Sequence, residues 1–220
     1  LAVNGTGNYW GHTSPAFTAG SDTNNASVID NYPYSQMNGW LYGPPTVVSN
    51  TYCGEVLSAN RVMNANLNCP GIGPMSFGAP GVVLDCAGHT ISFGAFSINQ
   101  NGVTVKNCIL TNNGYMYMDT TNDTATNNTL DALYVRGNGP NNVTYNRAGY
   151  IEVGSNYNNI SYNNMTPYGI TLTGWWGGAS YNNITNNRIN VTYNDQHGIY
   201  STSGIYNNFL SNTITTSGNN

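Results

Sequence analysis

Short apolar runs, separated by turn-forming and polar residues, recur along most of the chain. Val82–Leu84 and Val103–Val105 are each followed by a turn and a cysteine, and these cysteines, Cys86 and Cys108, lie 22 residues apart. β-rich runs with a period of roughly 20–25 residues are typical of a solenoid that winds one coil per repeat. Residues one period apart then stack at about 4.8 Å, which brings two cysteines within reach of a disulfide. The pattern predicts a parallel β-helix.

An Asn-rich hexapeptide with an apolar centre recurs in the second half of the chain. Its four copies are spaced by 17, 24 and 25 residues: Asn141–Asn146, Asn158–Asn163, Asn182–Asn187 and Asn207–Asn212. Between the copies, apolar residues alternate with polar ones, so we expect the apolar ones to face the interior, or lumen, of the coil. These residues are Ile151, Val153, Ile170, Leu172 and Ile199. Asn at the corners tolerates left-handed backbone angles and can hydrogen-bond to neighbouring coils.

One run carries a resemblance to a known family. Leu84–Ile91, LDCAGHTI, resembles the opening motif of secreted right-handed parallel β-helix proteins of the pectate-lyase-like superfamily, and the preceding Cys53-Gly54 and Leu67–Cys69 are similar too. The resemblance covers roughly residues 45–218 and is to the Asn-rich surface-protein branch. It implies an all-β fold, a right-handed parallel β-helix of roughly seven or eight coils. It implies no single function, because this fold carries lyases, hydrolases, adhesins and structural proteins.

The chain divides into an arm and a helix. Residues 1–40 lack the repeat period and are rich in Gly, Pro and Asn, so we interpret them as an irregular N-terminal arm. Parts of this arm resemble the closing segment that follows the last coil in similar proteins. Residues 41–220 form the predicted β-helix. Because an uncapped first coil would expose its apolar lumen to water, we assign residues 41–80 to the cap and first rungs.

Composition narrows the possible partners. Charged residues make up only 6% of the 220, with five Lys+Arg against nine Asp+Glu. Such a chain has no basic stripe to neutralise phosphates, so we expect no binding to nucleic acid. No apolar run reaches the roughly 18 residues of a membrane span, and no signal peptide is visible.

The four cysteines indicate the compartment. They form two locally spaced pairs, which fits an oxidising, extracellular environment. Zinc is the alternative, but spacings of 16, 17 and 22 residues contain no Cys-x2-Cys knuckle. We therefore predict the disulfides Cys53–Cys69 and Cys86–Cys108 in an extracellular, cell-surface protein.

Asn-x-Ser/Thr acceptors for N-glycosylation are frequent. Composition alone would give nearly as many, so their number carries no weight. Exposed corners of a secreted solenoid would nevertheless be accessible to glycosylation. The first candidates are Asn142, Asn159 and Asn183, and the others are Asn164, Asn190, Asn122, Asn127, Asn4 and Asn25.

Catalytic chemistry is not expected. Enzymes of the superfamily act on acidic polysaccharides: a lyase needs carboxylates for Ca²⁺ and a basic residue, and a hydrolase needs two or three carboxylates on one face. Asp131 and Glu152, 21 residues apart, could stack on adjacent coils, but no local acid–base pair accompanies them. We therefore predict no enzyme and no catalytic residue. The alternative is a glycan-active β-helix, either a lyase or hydrolase or a carbohydrate-binding module.

Two further features of the sequence could contact a ligand. Asp22, Asn24 and Asp30 weakly resemble a calcium loop, although an Asx-rich polar loop is the simpler interpretation; no other cofactor is expected. Trp175-Trp176 lies in a Gly-flanked loop and could contact a neighbouring subunit or glycan, or pack on the side of the helix.

The function expected from these features is structural. The final repeat still shows apolar positions, and the arm resembles a closing segment without a preceding coil, so the two could pair between copies. We expect a head-to-tail homopolymer that forms a filament, sheath or layer. The expected interface residues are Leu1, Val3, Tyr9, Trp10, Trp40, Phe209 and Ile214.

Overall fold

The computed structural model describes residues 46–48, 51–71, 73–137, 139–174, 178–194 and 196–217. The chain divides into two compact units, Leu1–Pro45 and Thr46–Asn220, and every described residue belongs to the second. The predicted arm and its interface residues Leu1, Val3, Tyr9, Trp10 and Trp40 lie outside the described residues.

Regular structure in the described residues consists entirely of short β-strands. Their bounds are β1 Thr46–Val48, β2 Glu55–Leu57, β3 Asn60–Val62, β4 Leu67–Asn68, β5 Met75–Phe77, β6 Val83–Asp85, β7 Thr90–Ser92, β8 Phe96–Ile98, β9 Thr104–Lys106, β10 Ile109–Thr111, β11 Tyr115–Met118, β12 Thr124–Thr126, β13 Thr129–Val135, β14 Asn142–Thr144, β15 Arg147–Val153, β16 Asn159–Ser161, β17 Asn164–Met165, β18 Ile170–Leu172, β19 Asn183–Thr185, β20 Arg188–Val191, β21 Ile199–Ser201, β22 Asn208–Leu210 and β23 Thr213–Thr216.

The strands stack in parallel into three sides of a coil. The first side is a nine-stranded sheet in the order β1-β3-β6-β9-β12-β14-β16-β19-β22, and the second runs β4-β7-β10-β13-β15-β17-β20-β23. The long strands β13 and β15 continue around a bend into the third side, where they pair with β11 and β18. The predicted parallel β-helix is confirmed. Its described residues form about six turns, slightly fewer than the seven or eight predicted.

The lumen is a set of stacked apolar columns. One column runs through Leu84, Val105, Ala125, Val143 and Ile160, each in register with the next and each with no exposed surface. The residues predicted to face the lumen are confirmed there: four are fully buried and Ile199 packs partly buried against the core. Alternation along each strand therefore separates an apolar interior from a polar outer surface.

Residues with left-handed backbone angles directly follow the strands of the first side from β9 to β22. Tyr145, Tyr162 and Asn186 follow three successive strands, with φ of 58°, 58° and 56°. Such angles are uncommon outside glycine, and Asn is among the residues that adopt them most readily. The next residue in each case is a buried asparagine, so the tight corner turns that side chain inward.

These buried asparagines form two ladders of hydrogen bonds, one on each edge of the first side. In the ladder of Asn128, Asn146 and Asn163, each Oδ1 accepts the backbone N–H of the preceding member, at 3.0 Å for Asn146 and 2.9 Å for Asn163. Each Nδ2 donates to a backbone carbonyl of the preceding coil, as Asn146 does to Ala125 at 2.8 Å. The ladder continues through Asn187 to Asn212. The second ladder joins Asn141, Asn158, Asn182 and Asn207.

The disulfides lie in the first coils. Cys53–Cys69 and Cys86–Cys108 are both formed as predicted, with Cα atoms 5.5 and 4.7 Å apart. The backbone N–H of Cys108 donates to Oδ1 of Asn128 at 2.9 Å, so the covalent link and the asparagine ladder occupy the same corner column. Adjacent coils are thus joined by a disulfide at one end of this column and by side-chain amides along the rest.

Removing a ladder amide should cost much more stability than removing an exposed one. Asn146→Ala leaves the Asn128 N–H and the Ala125 carbonyl without this buried partner, so we expect a loss of roughly 2–4 kcal/mol in the free energy of unfolding. Asn164→Ala, at an exposed strand position one coil along, is the matched control and should change it by less than about 0.5 kcal/mol. Urea denaturation measures both; equal losses would contradict the role of the ladder.

Candidate functional site: a tyrosine-lined groove

The bend between the second and third sides creates a groove that runs along the helix. At this bend the N–H of Gly114 donates to Oδ2 of Asp131 at 2.9 Å, and the Asp131 N–H donates to the Gly114 carbonyl at 3.0 Å. A Cβ atom on Gly149, one coil along, would lie 2.6 Å from the Asp131 carbonyl oxygen. Glycine is therefore required at this close approach between adjacent coils, and the Asp131 carboxylate is fixed at the edge of the groove.

Tyrosines from successive coils form most of the groove wall. The groove has a volume of about 420 Å³. Its lining residues are Tyr115, Asp131, Ala132, Tyr134, Tyr150, Tyr168, Thr171 and Gln196. Ala132 lies in register between Tyr115 and Tyr150 on the neighbouring strands, so a small side chain separates two large ones.

Neighbouring rings of the groove meet edge to face. The centroids of Tyr115 and Tyr134 are 6.2 Å apart, those of Tyr134 and Tyr150 are 6.1 Å apart, and those of Tyr150 and Tyr168 are 6.4 Å apart. This arrangement brings the positive edge of one ring to the negative face of the next. The tyrosines therefore support one another as a continuous band along the axis.

Two carboxylates add negative charge to this band. The Tyr150 hydroxyl donates to Oε2 of Glu152 at 3.2 Å, and Glu152 is in register with Tyr134 on the adjacent strand. Burial raises the pKa of Tyr134 and Tyr150, and the charge of Glu152 raises both further. Both hydroxyls therefore remain protonated at neutral pH and can act as hydrogen-bond donors.

A second hollow adjoins the groove and extends it. Its volume is about 340 Å³, and it shares Asp131 and Tyr168 with the groove. Arg147, Thr166 and Pro167 line its far side. Together the two hollows form an extended depression along the outside of the bend, with Asp131 between them.

The predicted stacking of Asp131 and Glu152 on adjacent coils is wrong. Register places Tyr134 opposite Glu152, whereas the neighbours of Asp131, Leu130 and Ala132, pair with Ala148 and Tyr150. Asp131 therefore lies opposite Gly149, before the bend, while Glu152 lies beyond it. Spacing in sequence could not reveal this offset, because strands that pass around a bend do not keep one facing direction.

Most of the predicted glycosylation acceptors lie in strands rather than at corners. Asn142, Asn159 and Asn183 start three neighbouring strands of the first side and form a row in which Nδ2 of Asn159 donates to Oδ1 of Asn142 at 2.7 Å. Asn164 and Asn190 are also in strands. Asn122 and Asn127 are exposed at left-handed corners, with φ of 61° and 55°. Asn4 and Asn25 lie outside the described residues.

The structure describes only some of the remaining predicted site residues. Among the described residues, no group of three or more His, Cys, Asp or Glu side chains is placed to hold a metal ion. The calcium candidate Asp22, Asn24 and Asp30 lies outside the described residues, as does Trp175-Trp176. Phe209 and Ile214, the two predicted interface residues that are described, are each 46% exposed.

Comparisons with known proteins give no relative. No family model matches the chain, and neither a curated protein nor a solved structure matches it significantly. Among the described residues, no helix is long and apolar enough to cross a membrane. Family membership therefore remains a matter of the sequence resemblance alone.

Sequence reasoning missed the groove, although a signal was present. Tyr117 and Tyr134 are 17 residues apart and stack at 4.8 Å, and Tyr150 and Tyr168 are 18 residues apart. These spacings match the shorter coil lengths of the Asn-rich repeat. Aligning tyrosines by coil would have placed them on one side, but only the structure shows the bend that makes them line a groove.

One buried carboxylate belongs to an asparagine ladder rather than to the groove. Asp123 takes the first position of the ladder that continues through Asn141, and it has no exposed surface. Its Oδ1 accepts the N–H of Val103 at 3.0 Å, and its Oδ2 accepts the Thr120 hydroxyl at 2.7 Å. Burial raises the pKa of the Asp123 carboxyl from 3.8 to about 6, although these hydrogen bonds oppose the shift.

Asp123 should make the fold less stable as pH rises from about 4 to about 6. Because its pKa in the folded chain lies above the unfolded value, its contribution is greatest below pH 4 and is lost as the buried carboxyl ionises. Asp123→Asn keeps an oxygen for Val103 and cannot ionise, but it replaces the oxygen that accepts from Thr120. It should therefore lose about 1–3 kcal/mol less stability than the wild type between pH 4 and pH 7.

Denaturation at pH 4 and pH 7 tests this expectation. An unaltered pH profile in Asp123→Asn would show that Asp123 is not the group responsible.

Proposed function

We propose that this chain is an extracellular structural subunit that assembles head to tail into a filament, sheath or layer. The observation that carries the proposal is the apolar surface at the last described coil. Phe209 is in register with the buried Ile184, and Ile214 with the buried Ile189, so both occupy lumen positions. Each is nevertheless 46% exposed, and Leu210 beside them is 59% exposed.

The same coil presents polar and aromatic groups that repeat along the helix. Asn207 and Asn212 are the last described members of the two asparagine ladders. Tyr206 stacks on Tyr181 with centroids 5.1 Å apart and is 72% exposed. A further strand added in register would cover the apolar residues and extend the ladders. We propose that residues 1–40 of the next copy supply this strand, with Tyr9, Trp10 and Trp40 as anchors.

The extracellular setting rests on two supports. The disulfides Cys53–Cys69 and Cys86–Cys108 are compatible with an oxidising compartment. The Leu84–Ile91 run resembles the secreted, Asn-rich branch of the pectate-lyase-like superfamily, and the parallel β-solenoid agrees with that resemblance.

A head-to-tail contact joins two different surfaces of the chain. When successive copies are related by a helical operation, the contact does not close, so it generates a polymer rather than a ring.

N-glycosylation is proposed as part of this role. Few charges are available to keep the outer surfaces apart, and bulky sugars could prevent unwanted side-by-side association. Asn122 and Asn127 are the acceptors at exposed corners. The row of Asn142, Asn159 and Asn183 is a more crowded location, because those amides are hydrogen-bonded to one another.

Assembly can be tested with a variant that stops polymer growth. A variant lacking residues 1–12 should keep the exposed coil but lack the first part of the arm, including the anchors Tyr9 and Trp10, so it can accept a full-length copy and then cannot add to another. We expect it to stay monomeric alone and, at substoichiometric amounts, to shorten polymers of the full chain. Light scattering and negative-stain electron microscopy measure polymer mass and length.

Point variants distinguish a specific role of the exposed coil in assembly from the general effect of adding charge to the surface. Phe209→Asp with Ile214→Asp should reduce polymer growth at least about tenfold, since two charges would be buried without partners. Tyr162→Asp, at an exposed corner on the side of the helix, is the control and should assemble normally. A full-length chain that stays monomeric at all concentrations would overturn the proposal.

A further inference from the structure

We propose that the tyrosine-lined groove binds an arginine side chain of a second polypeptide, which lies along the groove in an extended conformation. The argument starts from a contact within the chain itself. The guanidinium of Arg136 lies 4.1 Å from the centroid of the Tyr117 ring, and its Nε donates to Oδ1 of Asp119 at 2.9 Å. One guanidinium is thus held by a tyrosine face and a carboxylate together.

The groove places the same kinds of group on the next two coils, in a different arrangement. Tyr134 stacks on Tyr117, and Glu152 is in register with Tyr134 on the next strand. The Tyr150 hydroxyl fixes Glu152 through a hydrogen bond, and Gly114 fixes Asp131. The groove therefore presents tyrosine rings and the positioned Asp131 carboxylate, with Glu152 held beside it by Tyr150.

Charge favours a cationic occupant. Of the residues that line the groove, Asp131 is the one with a carboxylate, and neither Lys nor Arg is among them. Arg147 lines the adjoining hollow on the other side of Asp131. Glu152 adds a second negative charge, so an acidic ligand would be repelled, whereas a guanidinium could lie between ring faces and carboxylates.

Shape favours a polypeptide over a free amine. The groove and its adjoining hollow share Asp131 and Tyr168, and together they extend beyond the size of one side chain. Thr171 and Gln196 line the opposite part of the groove and offer hydroxyl and amide groups. These can hydrogen-bond the main chain of an extended segment on either side of the arginine.

A matched pair of blocked pentapeptides tests the proposal. The probes are acetyl-Gly-Ser-Arg-Ser-Gly-amide and the same peptide with citrulline, which keeps the planar shape and loses the charge. Nuclear magnetic resonance titration of the full chain should show shifts at Thr171 and Gln196. We expect a Kd at least about fivefold lower for the arginine peptide at low salt, and a smaller difference at high salt.

Variants locate the binding site without removing the groove. Asp131→Asn with Glu152→Gln keeps the acceptors for Gly114 and Tyr150, so it should remain folded and lose the preference for arginine. Tyr134→Leu should weaken binding of the arginine peptide about fivefold. Tyr181→Leu, which removes a stacked ring elsewhere on the helix, is the control and should bind normally.

Several outcomes would overturn the proposal. Equal affinity for the citrulline peptide would exclude recognition of the charge. L-arginine amide that binds as tightly as the peptide would exclude recognition of an extended segment. Binding of an uncharged oligosaccharide in the groove, with no binding of the arginine peptide, would assign the groove to glycans instead.

Discussion

The structure depends on satisfying the hydrogen bonds of buried backbone at the corners of each coil. A parallel β-helix must turn its chain sharply several times per coil, and each turn interrupts the ladder of strand hydrogen bonds. An orphaned buried N–H or C=O costs about 1–3 kcal/mol, so repeated corners could not be left unpaired. Asn128, Asn146 and Asn163 solve this at one corner, because each amide supplies an acceptor and a donor to the preceding coil. The asparagines of the two ladders are therefore a structural requirement of the fold.

The same constraint explains which parts of the fold could be predicted from the sequence. The coil period, the Cys86–Cys108 disulfide and the lumen positions follow from one-coil spacing and strand alternation, which are local properties. The Cys53–Cys69 disulfide follows from the shared position of its cysteines in the predicted cap. The Asn-rich repeat also indicated the corners. Its inner and outer asparagines could not be distinguished by residue type: Asn141 and Asn146 are buried, whereas Asn142 between them is partly exposed. The left-handed Tyr145 before Asn146 turns that side chain inward.

The groove was not predictable for a different physical reason. It arises where β13 and β15 continue around a bend, and that bend depends on close backbone approach at Gly114 and Gly149. Alternation along a strand shows which residues face outward. It does not show whether the outer surface of the helix at those residues is flat or concave. The displacement of Asp131 from Glu152 has the same origin. Function is consequently less predictable than fold here, since strand alternation sets the interior but not the arrangement of the outer tyrosines.

The central claim is that buried asparagine ladders hold the coils in register. Hydrogen exchange of assigned backbone amides, followed by nuclear magnetic resonance, tests it most directly. We expect the N–H groups of Asn128, Asn146 and Asn163 to exchange only with global unfolding, and that of the exposed corner residue Asn113 to exchange much faster. Ladder amides that exchange as fast as Asn113 would contradict the account.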